Sequence, residues 1–159
     1  MTEDARFEDG GERPLRLRAE TEDDVPVIAA LVQDAVFPAR EMTWQRSQRR
    51  FALLVNRFRW EDRKAADSSR RAVERVQSVL AFDDVLKVQS QGVSRNDADM
   101  VLSLLTLAFE PGGDGSGRII LTLAGDGALA LDVEAVSITL QDVTRPYLAP
   151  SRKVPSHPA

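Results

Sequence analysis

The strongest strand signal in the chain is the segment RRFALLVNRFRW, residues 49–60. Its β-branched, aromatic and aliphatic residues favour a strand, whose side chains point alternately to the two faces of a sheet. Phe51 and Val55 therefore share one face, while Leu54 and Phe58 share the other. Because the first half of the segment is apolar on both faces, we predict a central strand at this position.

The second half of this segment alternates Arg57 and Arg59 with two aromatic residues. One interpretation is an RNA-binding strand, since the segment from Arg49 onward resembles part of the first ribonucleoprotein motif of the RNA recognition motif. That motif has glycine where this chain has Arg50 and an aromatic residue where it has Asn56, so rings that would stack on bases are missing. We therefore favour a core strand whose second half emerges into solvent.

Helical and alternating patterns on either side of this strand predict the remaining elements. Apolar residues recur at helical spacing after a run of capping residues, which predicts a helix from about Glu22 to Ala35. Residues 39–46 alternate and are separated from the next strand by three polar residues, which predicts a hairpin. Further strands are predicted at residues 15–20, 73–82, 84–91, 101–107, 118–124, 128–133 and 135–143.

These elements together predict an α+β fold, with one N-terminal helix packed on a long, mostly antiparallel sheet that curls into a half-open barrel. Val101 to Leu107 is apolar on both faces and is predicted to be a second central strand. The apolar positions change phase near Glu134, which indicates a bulge or a bend between two strands. Residues 65–80 fit either a helix or a strand, and a strand is favoured from Val73 onward.

Length and composition indicate one domain, because 159 residues with 43% hydrophobic residues can bury a core. We expect a disordered acidic tail over residues 1–14, a single α+β domain over residues 15–143 and a proline-rich extended tail over residues 144–159. The apolar runs are too short to span a membrane, and the acidic N-terminal segment does not resemble an export signal. The chain contains no cysteine, which suits a reducing compartment, so we predict a cytoplasmic location.

The net charge of −4 conceals one basic segment. Residues 40–75 contain 11 Arg and Lys against 5 Asp and Glu, whereas the rest of the chain contains 10 against 20. This segment also contains both tryptophans, and an acidic partner would be attracted to it if its charges form one patch. The predicted binding surface consists of Arg46, Arg49, Arg50, Arg57, Arg59, Trp44 and Trp60.

Other polar motifs are better explained without catalysis. The glycine-rich residues 112–117 lack the lysine and the following helix of a phosphate loop, so they are interpreted as a flexible hairpin connector. The carboxylates at residues 83–84 and 97–99 are interpreted as turn and capping residues. The single histidine, His157, lies in the predicted tail, away from any other metal ligand. We therefore predict no catalytic residue, cofactor or metal site.

Four segments carry a resemblance to a known family: VQDAV (32–36), RRFALLVNRFRWE (49–61), DMVLSLLTLAFEP (99–111) and DVTRPYLAP (142–150). With these segments the chain resembles the uncharacterised bacterial domain-of-unknown-function family 2948 over roughly residues 15–156. The resemblance implies a single-domain, cytoplasmic protein of alphaproteobacterial origin. It implies no activity, cofactor or catalytic residue.

Three functions stay open at this point. The leading hypothesis is a non-enzymatic binding module that contacts a protein partner or a second copy of itself, with no membrane association. The second is a small-molecule-binding or small enzyme domain, whose site lies at the sheet or barrel mouth beside Trp44, Trp60 and the arginines. The third and least favoured is nucleic-acid binding through the arginine-rich hairpin.

Overall fold

The computed structural model describes residues 14–62, 74–93, 97–145 and 147–148. The greater part of both predicted tails lies outside the described residues, as do the part of the helix-or-strand segment up to residue 73 and His157. The predicted domain limits therefore stay predictions.

One α-helix and eleven strands make up the described part of the chain. Helix α1 is Val25–Val32 and follows a 3₁₀ turn at Glu22–Asp24. The strands are β1 (Arg16–Ala19), β2 (Val36–Pro38), β3 (Met42–Gln45), β4 (Arg50–Phe58), β5 (Glu74–Phe82), β6 (Val85–Gln91), β7 (Val101–Gly113), β8 (Ser116–Leu123), β9 (Gly127–Val133), β10 (Ile138–Asp142) and β11 (Tyr147–Leu148). Further 3₁₀ turns are Ala39–Glu41, Arg46–Gln48 and Trp60–Asp62.

The strands form a single antiparallel sheet in the order β1-β10-β5-β4-β2-β7-β8-β9-β6. Strand β3 pairs with β4 next to β2, and β11 pairs with β5 next to β10. The sheet curls without closing, since β1 and β6 end the order and do not pair with each other. The predicted α+β class and the half-open barrel are confirmed.

The curled sheet encloses the core, and helix α1 packs into it. The helix contributes Val25, Ile28 and Val32, which are at most 2% exposed, and it packs mainly against β7. The predicted helix is confirmed, although it ends at Val32, and Asp34 then adopts a left-handed backbone with φ 65°. The helix packs against the sheet with one face only, since Val27 on its other face is 55% exposed.

Contrary to the prediction, strand β7 is not buried on both faces. Leu102 and Leu104 are buried, but Val101 is 68% exposed. The register with β8 shifts between Leu104 and Thr106, and after this shift Leu107 is the buried residue. The bulge changes which side chains point inward. A strand that is fully buried on one face only therefore has apolar residues at both even and odd positions.

Three predicted connections between strands can be compared with the structure. The glycine-rich connector is mostly strand and not a flexible link, because only Asp114 and Gly115 separate β7 from β8, with φ values of 54° and 83°. The bend predicted near Glu134 is confirmed, since β9 pairs with β8 and β6 while β10 pairs with β5 and β1. The predicted hairpin of β3 and β4 is also confirmed.

Candidate functional site

Arg57 does not lie at a solvent-exposed strand end. It is on the core-facing side of β4 and is 0% exposed. Its Nη2 donates to Asp142 Oδ1 at 3.0 Å, and its Nη1 and Nη2 each donate to the Glu61 carboxylate at 2.9 Å. Its Nε donates to Ser78 Oγ at 3.0 Å, and Ser78 Oγ donates to Asp142 Oδ1 at 2.7 Å. The prediction that this end of β4 emerges into solvent is therefore wrong.

The same cluster holds the edge strand β1 in place. Asp142 Oδ2 accepts a hydrogen bond from the Leu15 N–H at 2.8 Å, and the Asp142 N–H donates to the Leu15 carbonyl at 2.9 Å. Arg57 Nη1 also donates to the Phe58 carbonyl at 3.1 Å, so all three guanidinium nitrogens are hydrogen-bonded. Because buried charges are stable only when they are paired and hydrogen-bonded, we assign Arg57 a structural role that links β1, β4, β5 and β10.

This pairing also changes the ionisation of Glu61. Burial alone would raise the pKa of Glu61, but the hydrogen bond and the positive charge of Arg57 outweigh burial and hold that pKa below its usual value. A carboxylate whose pKa is lower in the folded state stabilises the fold above its unfolded pKa of about 4.3. That contribution is lost as the pH falls through the lower, folded-state pKa.

We therefore expect Glu61→Gln to be less stable than the wild type at pH 7 and the difference to shrink as the pH falls below about 4. Urea unfolding midpoints of both proteins, measured in steps from pH 7 to pH 3, would test this expectation. A difference that stays constant over this range would show that the charge of Glu61 does not carry the effect.

Arg59 and Trp60 are also held within the fold. Arg59 is 4% exposed and forms an ion pair with Glu74. Trp60 Nε1 donates to the Gln33 carbonyl at 2.8 Å, just after helix α1, and its ring lies 5.3 Å from the ring of Phe58. Trp60 thus packs the residues after β4 against the end of the helix, whereas Arg59 links this part of the chain to β5.

The arginines at the start of β4 face carboxylates from other parts of the chain. Arg50 Nη1 lies 3.0 and 3.1 Å from the two carboxylate oxygens of Asp83, and Arg49 forms an ion pair with Glu134. Of the predicted surface arginines only Arg46 is exposed with no ion pair identified among the described residues. The described arginines of the basic segment are thus distributed over several places in the fold, and most of them form ion pairs.

Trp44 lies in a cleft beside the edge strand β6, which we call the seam cleft. The cleft has a volume of about 370 Å³ and lies between β3 and β6. The pairing of Trp44 with Phe51 and of Ser90 with Leu129 places these residues on the inner face of the sheet. The apolar lining includes Met42, Trp44, Phe51, Val88, Val93 and Leu129.

Two polar side chains of the described residues contribute to the seam cleft, Arg40 and Ser90. Arg40 Nη1 lies 2.6 Å from Asp99 Oδ1, and the two side chains are 54% and 86% exposed. The backbone on either side of this arginine is fixed, since the Ala39 N–H donates to the Met100 carbonyl at 2.8 Å and the Arg40 N–H donates to the Ala98 carbonyl at 2.9 Å. The backbone of Arg40 is therefore fixed at the rim, while its guanidinium stays accessible.

A comparison with family models gives a match to the family described as "Protein of unknown function (DUF2948)", over residues 15–157. The match covers every strand of the sheet and helix α1. The chain belongs to this family. No curated protein matches the chain, and no solved structure does.

The geometry of this DUF2948 chain indicates which predicted residues belong together. Of the seven residues in the predicted surface, only Trp44 lines the seam cleft. Sequence reasoning missed Arg40 and Ser90, since neither stands out in the sequence. The pairing of Trp44 with Phe51 follows from the hairpin, but the approach of β6 to β3 depends on long-range pairing that has no local signal.

Two further properties of the DUF2948 chain are limited to its described part. That part contains no group of three or more side chains able to hold a metal ion. It also contains no helix that is long and apolar enough to cross a membrane.

Proposed function

We propose that this protein is a non-enzymatic binding module whose seam cleft holds a small, largely apolar ligand. The observation that carries this proposal is the cleft itself, which has a volume of about 370 Å³ and an apolar floor that includes Trp44 and Phe51. Small-molecule sites have volumes of roughly 300–1,000 Å³, are mostly apolar and are common at the mouths of β-barrels. The cleft meets the first two criteria, and it lies beside the edge strand β6 of a curled sheet.

The two polar groups of the cleft favour recognition of a ligand over chemical reaction with it. Ser90 supplies a hydroxyl and Arg40 supplies a guanidinium. A serine nucleophile needs a neighbouring base, and a guanidinium stays protonated and cannot serve as one. Both groups are suited to hydrogen bonds with the polar end of a bound molecule.

A protein partner is the second candidate, and the open edge of strand β6 is the observation that favours it. Strand β6 ends the order of the sheet, so its outer edge has no strand beside it in the described part of the chain. An extended peptide can add to such an edge through backbone hydrogen bonds.

Nucleic-acid binding is less well supported, because Arg57 and Arg59 are buried. We further propose a bacterial, cytoplasmic setting, in keeping with the lack of cysteine.

The proposed function can be tested by filling the cleft. Ser90→Phe would place a ring in the cleft, because Ser90 is on the inner face of β6. Binding of the neutral apolar dye N-phenyl-1-naphthylamine would be followed by fluorescence titration. We expect saturable binding to the wild type and at least about tenfold weaker binding to Ser90→Phe, equivalent to about 1.4 kcal/mol.

The matched control is Gln89→Phe, on the next residue of the same strand. Gln89 is exposed and points to the opposite face of the sheet, so the same ring is added outside the cleft. This variant should bind the dye as the wild type does. No saturable binding to the wild type, or equal losses in both variants, would contradict the proposal.

A further inference from the structure

We infer that the ligand of the seam cleft is an amphiphile with one carboxylate, which Arg40 binds at the rim while the apolar body lies on Trp44 and Phe51. This inference rests on the proposed function and adds the chemical class of the ligand. It follows from the charge of the lining, from the exposure of the ion pair that Arg40 forms, and from the geometry of the guanidinium group.

Among the described residues, the lining of the seam cleft carries a single charged side chain, and that charge is positive. The residues that surround it in the cleft are apolar apart from Ser90. A neutral ligand would leave the guanidinium without a new partner, and a cationic ligand would be repelled by it. A ligand with an apolar body and one negative group is complementary to both the floor and the rim.

The present partner of Arg40 can be exchanged for a ligand. Asp99 is 86% exposed and Arg40 is 54% exposed, so both groups are largely hydrated and their attraction is screened. A ligand carboxylate held at the rim would be partly shielded from water by its own apolar body. Because charges attract more strongly where water is excluded, this carboxylate would compete effectively with Asp99.

The geometry of Arg40 suits a carboxylate. Its backbone is fixed by the hydrogen bonds from the Ala39 and Arg40 N–H groups to the carbonyls of Met100 and Ala98. A guanidinium is planar and presents parallel N–H donors that match the two oxygens of a carboxylate. The fixed base and the accessible tip would thus orient the ligand with its carboxylate outward and its apolar body inward.

The inference predicts a charge preference among ligands that share one apolar chain. Decanoate, decanol and decyltrimethylammonium would be compared by displacement of N-phenyl-1-naphthylamine, below the concentrations at which they form micelles. For the wild type we expect decanoate to displace the dye at about tenfold lower concentration than decanol, with decyltrimethylammonium the weakest of the three. The advantage of decanoate should decrease as salt is added.

Variants of the arginine identify the source of this preference. Arg40→Gln should bind decanoate and decanol about equally, whereas Arg40→Lys should keep part of the preference because it keeps the charge. The matched control is Arg46→Gln, which removes an exposed arginine from the same hairpin region but outside the cleft lining. This control should retain the wild-type preference.

The outcomes separate the inference from the function on which it rests. Equal displacement by all three compounds, or a preference for decanoate that survives in Arg40→Gln, would overturn the carboxylate inference while dye binding still supports the cleft as a binding site. Failure of the wild type to bind the dye would overturn the proposed function and the inference together. Circular dichroism of each variant would establish that it is folded.

Discussion

Arg57→Met is expected to lower the free energy of unfolding by about 3–5 kcal/mol. The substitution removes the positive charge from a side chain that is 0% exposed and leaves Asp142, whose side chain is 2% exposed, without its partner. A buried carboxylate without a counter-charge is costly because it has lost the solvation of water. Since small domains are stable by only about 5–15 kcal/mol, this loss would be a large part of the total.

Two further variants make this expectation specific. Arg118→Met removes an arginine from a similar cross-strand pair with Asp132, in which the side chains are 46% and 33% exposed, and should leave the unfolding midpoint nearly unchanged. Adding Asp142→Asn to Arg57→Met should restore part of the stability, because it removes the uncompensated charge. Urea unfolding curves give all of these values. Equal effects of Arg57→Met and Arg118→Met would contradict the structural role of Arg57.

The burial of Arg57 shows what local sequence patterns can and cannot predict. Alternation placed it on the same face as Phe51 and Val55, which is correct, but its charge was interpreted as a sign of solvent exposure. Its partners are Glu61, which lies in the 3₁₀ turn Trp60–Asp62, and Asp142, which is on β10. Strand order is set by long-range pairing, so the sequence could not show that Asp142 would meet this arginine.

The strands themselves were more predictable than the site. Alternating apolar residues located most strands, and the turn residues located the hairpins, because both signals are local. The seam cleft instead depends on the distance between β3 and β6, which are far apart in the chain and meet only because the sheet curls. Trp44 was predicted because large aromatic residues are noticeable, whereas Arg40 becomes relevant only through its position at the rim.

Gly117→Ala is expected to lower the free energy of unfolding by about 1–3 kcal/mol, the usual cost of overpacking. Gly117 is the second residue of β8, beside β7, and a β-carbon at this position would lie 2.3 Å from the Glu110 carbonyl oxygen and 2.7 Å from the ring of Phe109. The carbonyl belongs to the sheet backbone and cannot move without disturbing the longest strand pair. Alanine would therefore force β7 and β8 apart near their hairpin.

Gly112→Ala is the matched control, since it makes the same substitution across the hairpin. A β-carbon at Gly112 would have its nearest neighbour at 3.5 Å, the Gly117 Cα, which is an ordinary contact. This variant should equal the wild type or exceed it by up to about 1 kcal/mol, because alanine restricts the unfolded chain. Thermal and urea unfolding of both variants would measure the difference. If Gly117→Ala is as stable as Gly112→Ala, the close approach of β7 and β8 at Gly117 does not constrain that position. A selective loss at Gly117 would instead show that the hairpin needs glycine there for space, since its backbone φ is not in the left-handed region.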